Sequence, residues 1–403
     1  MGSRDEGAGG ILMRAGILRA IGVVACASCA IAALACEDIA DVSDFRIQQS
    51  VGKATYHGPC NACPASAASL RHPPCPPTGD DAPDDGEVYV YVLRKMYLGL
   101  PGTPADLLDP ADYDQTIGFD LDCSAREPHG QPVLCAPINP SGAKVPWEPY
   151  PRGIDNSLSQ RVFGYLEKLA AQTMGSSYQP LDVGISNDWN AGKASILMVV
   201  YNWNGTPNDS KVSYRVTSSL GTVHGVAPKW DGKDEWVSAI ARPDQNLGKF
   251  EIPDTSFATD DAYVSNGVLF VDMSFLDPAN AYIVNNGASL EVSMHDMTFT
   301  GKISKTEVTR WNVSALWSLN DFKNAKSDIA NWLSGCNSFV SGFLCQTLPS
   351  LADEAADMPL DRTAPRTRPC DAISLSWAAD AYRAHIGAYE SVSAAAGCPI
   401  TCQ

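Results

Sequence analysis

Short runs of alternating apolar residues, separated by glycine and asparagine, dominate the sequence from residue 87 onward. Val88, Val90 and Val92 share one side of a predicted strand, and residues 263–270 form two apolar runs joined by an Asn-Gly turn. The unbroken apolar run at residues 196–201 is typical of a strand buried on both faces. The pattern predicts a mainly β protein, and we expect a jelly-roll-like β-sandwich in a single domain over residues 87–403.

Two segments have helical periodicity instead, and we predict added helices near residues 155–173 and 313–333. In the first, Leu158, Val162 and Leu166 recur at a spacing of four, after a possible cap at Asp155 or Asn156. In the second, the apolar residues recur at intervals of three, four or seven.

The N-terminal 35 residues have the pattern of a bacterial export signal. Arg14 and Arg19 provide positive charge, and residues 20–35 contain no charged side chain. This run is shorter than the roughly 20 residues that a membrane-spanning helix needs. Small residues lead to Cys36, which resembles the lipobox of bacterial lipoproteins, although Ala33 stands where Leu is commoner. We predict a signal peptide over 1–35, translated from Met1 or from Met13, and a lipid on Cys36.

A lipid on Cys36 would make the membrane a partner and place the protein in the cell envelope, with secretion as the alternative. Residues 58–86 hold seven prolines and three cysteines. Such a composition favours an extended chain, so residues 36–86 are predicted to form a tether after the acylated cysteine.

Ten cysteines follow Cys36, and an even number in an exported chain predicts up to five disulfides that staple the fold. They are Cys60, Cys63, Cys75, Cys123, Cys135, Cys336, Cys345, Cys370, Cys398 and Cys402. Proximity along the chain favours the pairs Cys123–Cys135 and Cys336–Cys345. The connectivity of the other six stays open.

The charge balance narrows the choice of partners. The chain has 46 acidic and 29 basic residues, a formal net charge of −17. Phosphate backbones are bound by clustered lysine and arginine, so nucleic acid is not expected as a partner.

Several short motifs together resemble an uncharacterised family of predicted bacterial surface lipoproteins. They are residues 118–123, Cys135, residues 153–156, Trp230-Asp231-Gly232, residues 262–264 and residues 370–374. The resemblance implies an envelope location and a single folding unit, and it implies no activity.

Three aspartates form the best candidate metal site. Asp120 and Asp122 lie near the cysteines at 123 and 135, and Asp155 follows a glycine that permits a tight turn. Calcium prefers several oxygen ligands from loops of this kind, so calcium is the candidate cofactor. The alternative is structural, with Asp155 capping a helix.

Tryptophans beside Asn and Asp mark candidate ligand-binding loops at Trp189, Trp203, Trp230 and Trp236. On loops, an indole ring can stack on a sugar while neighbouring amides bind its hydroxyls. The alternative is that these rings pack over the ends of the core.

The chain contains no Gly-x-Ser-x-Gly, His-Glu-x-x-His or P-loop motif, and its one Ser-x-x-Lys match, Ser141 to Lys144, lies between two prolines where no helix would present the lysine. We therefore predict a non-catalytic binding or structural module whose partner is a glycan or a surface protein. The alternative is a calcium-dependent hydrolase acting on glycans or lipids, with the three aspartates as metal ligands or acid–base groups.

Overall fold

The structure is a computed structural model that describes most of the chain from residue 86 onward. The described residues are 76–77, 79, 86–100, 117–118, 121, 134–138, 155–174, 178–240, 257–273, 279–285, 288–334, 337–361, 364–391 and 401–402. They belong to one compact unit, Asp44–Gln403. The predicted signal peptide, Cys36, Asp120, Asp122, Cys123 and Cys336 lie outside the described residues.

Ten strands carry the fold in the described part of the chain. They are β1 Tyr89–Tyr97, β2 Ser195–Tyr201, β3 Asp209–Thr222, β4 Glu235–Ile240, β5 Phe257–Ser265, β6 Val268–Asp272, β7 Ala279–Asn285, β8 Ala288–Ile303, β9 Glu307–Ser318 and β10 Ala372–Ser391.

Eight of these strands close into an antiparallel β-barrel, so the predicted β-sandwich is wrong. The order around the barrel is β1, β2, β3, β5, β6, β8, β9 and β10, and β10 pairs again with β1. The closing pair runs from Val90 opposite Ala384 to Tyr97 opposite Ala378. Alternation shows that a strand has one face on a core, which holds equally for a sandwich and for a barrel. The pairing of β1 with β10 closes the barrel. These two strands come from opposite ends of the domain, so no short-range sequence pattern encodes their pairing.

The barrel interior is filled by large aromatic side chains. Tyr214 on β3 and Phe299 on β8 lie on nearly opposite walls, and their ring centres are 5.6 Å apart. Trp311 on β9 stacks on Phe299 at 5.4 Å. All three side chains are buried, and burial raises the pKa of Tyr214 well above its ordinary value. An eight-stranded barrel has an interior of about the width that side chains can fill.

Strand β4 builds a second, smaller core on the outside of β1 and β2. It pairs antiparallel with the end of β3 and parallel with the end of β10, which covers that outer face. Val90, Val92, Leu197 and Val199 pack there with the fully buried Trp236. Strands β1 and β2 are therefore buried on both faces, as the apolar run at residues 196–201 predicted.

The outer face of β9 and β10 is polar and yet buried. The hydroxyls of Ser314 and Ser376 are 2.8 Å apart, and Ser374 donates to Asp357 at 2.6 Å. The backbone N–H of Ser376 donates to Asn156 at 2.9 Å. Because these polar groups are partnered, their burial is tolerated, and they hold the start of the first helix against the barrel.

The helices lie in two groups. A π-helical segment, Leu158–Phe163, continues into α1, Gly164–Met174, and α2 follows at Leu181–Asn190. The second group is α3 Leu319–Asn324, α4 Lys326–Ser334 and α5 Ser338–Ala355. The first group begins close to the helix predicted near 155–173.

The helix predicted over 313–333 begins later than expected, because residues 313–318 belong to β9. Both faces of that part of β9 are covered, so its residues are all buried and the alternation disappears. Buried apolar residues on both faces imitate helical spacing.

Two disulfides correct the predicted pairing. Cys135 bonds to Cys370, with Cα atoms 5.1 Å apart, and Cys345 bonds to Cys402, with Cα atoms 5.3 Å apart. The local pairs Cys123–Cys135 and Cys336–Cys345 are therefore wrong in this structure. The fold brings together cysteines that are 235 and 57 residues apart, and spatial distance decides which thiols bond.

Peptide mapping of the unreduced protein should recover the linkages Cys135–Cys370 and Cys345–Cys402. Removing the first by replacing both cysteines with serine should lower the free energy of unfolding by about 2–5 kcal/mol, because the bond closes a long loop. Denaturant unfolding of this variant beside the Cys345/Cys402 double serine variant measures each contribution. A recovered Cys123–Cys135 peptide would contradict the pairing.

Candidate functional site

The barrel wall is irregular where β1, β9 and β10 meet. The register of β1 against β10 shifts between Leu93 and Lys95, and that of β10 against β9 shifts between Ala379 and Ala381. Arg310 on β9 has a φ of 53°, a backbone conformation that few residues other than glycine adopt. Bulges and strained residues of this kind redirect side chains and concentrate beside functional sites.

Asp380 organises the centre of this irregular region. Its carboxylate accepts the Tyr97 hydroxyl at 2.7 Å and the backbone N–H of Arg310 at 3.1 Å. The Arg310 guanidinium lies over the Tyr97 ring, 4.4 Å from its centre. Burial, together with the bond to Asp380, raises the pKa of Tyr97. Tyr97 is thus a neutral hydrogen-bond donor to Asp380 at physiological pH.

Arg94 lies beside this region, stacked against two aromatic rings. Its guanidinium carbon is 4.9 Å from the ring centre of Trp230 and 5.1 Å from that of Tyr382. Its Nε donates to the side-chain oxygen of Asn190, the last residue of α2, at 2.9 Å. The ring centres of Trp230 and Tyr382 are 5.9 Å apart.

A tight loop before β4 holds Trp230 in place. The Asp234 carboxylate accepts the backbone N–H groups of Lys229 and Trp230 at 2.8 and 2.6 Å. Asp231 accepts the backbone N–H of Lys233 at 3.0 Å. Trp230 itself has a φ of 60°, so the loop keeps it in an otherwise unfavourable conformation. Trp230 is partly buried against the second core on the outside of the barrel, and part of it is exposed.

The four predicted ligand-binding tryptophans do not line one groove. Trp189, Trp203 and Trp236 are buried, with 7%, 2% and 0% of their surface exposed. Trp203 packs on Tyr89 in the main core, and its indole N–H donates to a backbone carbonyl. Only Trp230 presents part of its ring to solvent, so the alternative that these rings pack over the core holds for the other three.

The Asp155 carboxylate makes a hydrogen bond that connects two segments of the fold. Its side chain is fully buried, and one carboxylate oxygen accepts the backbone N–H of Leu121 at 2.7 Å. This bond ties the segment at Leu121 to the residues that precede the first helix. Within the described part of the chain, no three His, Cys, Asp or Glu side chains group as metal ligands. The calcium prediction stays a prediction, since Asp120 and Asp122 are not among these residues.

An open cleft lies between the α2–β2 turn, the end of β3 and the end of β10. Its volume is about 450 Å³, and Lys193, His224 and Glu390 are among its lining residues. His224 has a φ of 63° and is exposed. A cleft of this size is within the range of small-molecule sites.

Arg94 and Tyr382 are site residues that the sequence did not reveal. Arg94 lies at the end of an apolar run that predicts an ordinary strand, Tyr382 lies within β10, and neither belongs to a recognisable motif. The only available signal was the Trp230-Asp231-Gly232 turn, which predicts a loop but does not say which strands it covers.

No helix in the described ranges is long and apolar enough to span a membrane. No family model, curated protein or solved structure matches the chain.

Replacing Asp234 with alanine should release the loop that holds Trp230. The variant loses an acceptor for two backbone N–H groups, and we expect the free energy of unfolding to fall by about 1–3 kcal/mol. Trp230 should become more exposed, which a red shift of the tryptophan emission would report. Asp231→Ala, which removes an acceptor for one exposed N–H, is the matched control and should change both readouts less. Equal effects of the two substitutions would contradict the role given to Asp234.

Proposed function

We propose that this chain is an exported cell-envelope protein, anchored by a lipid on Cys36, that acts as a non-catalytic carbohydrate-binding module. The uncharged run after Arg19 and the small residues before Cys36 support the export and the anchor. The disulfides Cys135–Cys370 and Cys345–Cys402 suit an oxidising compartment, and the acidic composition suits a solvated exterior.

One observation carries the proposed binding activity: a partly exposed tryptophan is held in a hydrogen-bonded loop beside a tyrosine and an arginine. Trp230 is held through Asp234, and Tyr382 and Arg94 lie against it. Aromatic rings stack on the apolar faces of sugars, and a ring that is already ordered loses little entropy when a ligand binds.

Polar groups around Trp230 supply the second half of carbohydrate recognition. Asp231 and Lys233 are exposed in the same turn, and each can exchange hydrogen bonds with sugar hydroxyls. The turn is stabilised by its own hydrogen bonds, so these side chains start from defined positions. A site of one ring with a few polar groups suits a single sugar unit or the end of a glycan.

Growth with labelled palmitate tests the anchor. The natural chain should incorporate label and fractionate with membranes, because acyl chains on Cys36 partition into lipid. The Cys36→Ala variant should lose the label and become soluble. Failure to label the natural chain, or equal labelling of both, would disprove acylation at this cysteine.

A glycan array tests the binding activity. We expect Trp230→Ala to weaken binding of any glycan that the natural protein retains by about tenfold or more, because the stacking surface is lost. Trp230→Phe should restore part of the affinity. Phe339→Ala, which removes an exposed aromatic ring from a different element, is the control and should leave binding unchanged.

Two results would contradict this proposal. Retention of full affinity by Trp230→Ala would move the site elsewhere, and release of a hydrolysed product would show an enzyme instead of a binding module. Running the array with calcium and with a chelator tests the calcium prediction in the same experiment.

A further inference from the structure

Two partly buried arginines on the outside of the barrel have no carboxylate partner. Four arginines in the described part of the chain are partly buried: Arg94, Arg215, Arg310 and Arg383. Arg215 pairs with an aspartate at 2.9 Å, and Arg383 pairs with a glutamate at 2.6 Å. Arg94 and Arg310 form no ion pair with any described residue. A partly desolvated charge is stabilised by an opposite charge, so these two positions favour an anionic ligand.

The guanidinium of Arg94 is oriented so that part of it stays available. The rings of Trp230 and Tyr382 lie 4.9 and 5.1 Å from its central carbon, and its Nε donates to Asn190. Its two terminal nitrogens have no acceptor among the described residues. Two parallel N–H groups on a planar guanidinium match the two oxygens of a carboxylate. Arg94 is therefore positioned to bind a carboxylate in a bidentate manner.

Two further cations lie next to Arg94, against the ring of Tyr97. The Lys95 ammonium is 4.7 Å and the Arg310 guanidinium carbon 4.4 Å from the centre of this ring. Asp380 is opposite Lys95 in the β1–β10 ladder, but its carboxylate accepts the Tyr97 hydroxyl and a backbone N–H and forms no ion pair with a described residue. Three cations thus face one carboxylate, and we call Arg94, Lys95 and Arg310 the cationic patch.

The sign of the local charge outweighs the acidic composition of the chain. In the adjacent turn the exposed Lys229 and Lys233 offset the exposed Asp231 and Glu235, and the carboxylate of Asp234 accepts two backbone N–H groups. Charges more than about 8 Å away are largely screened at physiological salt. The net charge of −17 therefore acts weakly on a ligand group that is in contact with Arg94.

We propose that the cationic patch, together with Trp230, binds a glycan whose sugar units carry carboxylates, as uronic acids do. The terminal nitrogens of Arg94 bind one carboxylate, the exposed Lys95 attracts the acidic chain, and Trp230 stacks on a sugar ring. This inference rests on the proposed carbohydrate-binding function and specifies its ligand class. A nucleic acid is less well matched, because its affinity comes from many phosphate contacts and this patch offers three cations.

Paired ligands separate the contribution of the carboxylate from that of the sugar. The probes are oligogalacturonate, oligomannuronate and a sialylated oligosaccharide, each measured by calorimetry beside its carboxyl-reduced form. We expect the natural protein to bind at least one acidic form about tenfold or more tightly than the reduced form, because only the acidic form pairs with Arg94. Added salt should weaken binding of the acidic form only.

Substitutions in the cationic patch test which residues bind the carboxylate. Arg94→Gln should weaken binding of the acidic form about tenfold, and Lys95→Gln, at an exposed position, about threefold. Because Arg94→Gln also removes the bond to Asn190, Lys95→Gln tests charge without the loss of a side-chain hydrogen bond within the described chain. Lys211→Gln removes the same charge from an exposed position on β3 and should change nothing.

Three results would overturn this inference. Equal affinity for the acidic and reduced forms, with both lost in Trp230→Ala, would reject the acidic ligand and leave the proposed function standing. Unchanged affinity of Arg94→Gln and Lys95→Gln for the acidic form would place the carboxylate elsewhere. Binding of neither form in any pair would reject the acidic glycan, and the neutral members of the glycan array would then decide the proposed function separately.

Discussion

The fold depends on aromatic side chains that meet across the inside of the barrel. Tyr214 is on β3 and Phe299 is on β8, and two strands, β5 and β6, lie between them on one side of the barrel. Trp311 on β9 stacks on Phe299. These rings fill the interior at a width that eight tilted strands provide. Smaller side chains would leave a cavity, which lowers stability in proportion to its volume. The packing therefore selects a barrel of this size, and the outer layers are arranged around it.

The sequence predicted the β class and the doubly buried β2 strand, because both are visible in short-range hydrophobic patterns. It did not predict closure, since β1 and β10 lie at opposite ends of the domain. The same limit explains the disulfides: Cys135 meets Cys370 only because the segment at Ala136 pairs with the residues just before β10. Long-range pairing is a property of the packed core, and no spacing along the chain records it.

The candidate site was likewise predicted from the sequence only in part. Trp230 was identified from its Asp-Gly neighbours, which mark a turn, and it is the one of the four predicted tryptophans that is only partly buried. Trp203 and Trp236 have equally polar neighbours, yet both are buried, because Trp203 packs on Tyr89 in the main core and Trp236 packs against the outer face of β1 and β2. Arg94 went unnoticed because its role comes from a shift in register within β1. A bulge depends on how two strands align, so a single sequence gives little indication of it.

The position of β10 has a consequence for how the chain is made. A ribosome delivers β1 to β9 first, and among these strands β1, β4 and β9 each have β10 as one neighbour. Strand β10 must then bridge β9 and β1, so the barrel cannot close until residues 372–391 have been synthesised. Until that moment the edges of β1, β9 and β4 that pair with β10 remain open, and open edges are the parts of a β protein most prone to pair with other chains. A chain that is kept unfolded until β10 is available avoids this hazard, whereas a product cut short before Ala372 retains these open edges permanently.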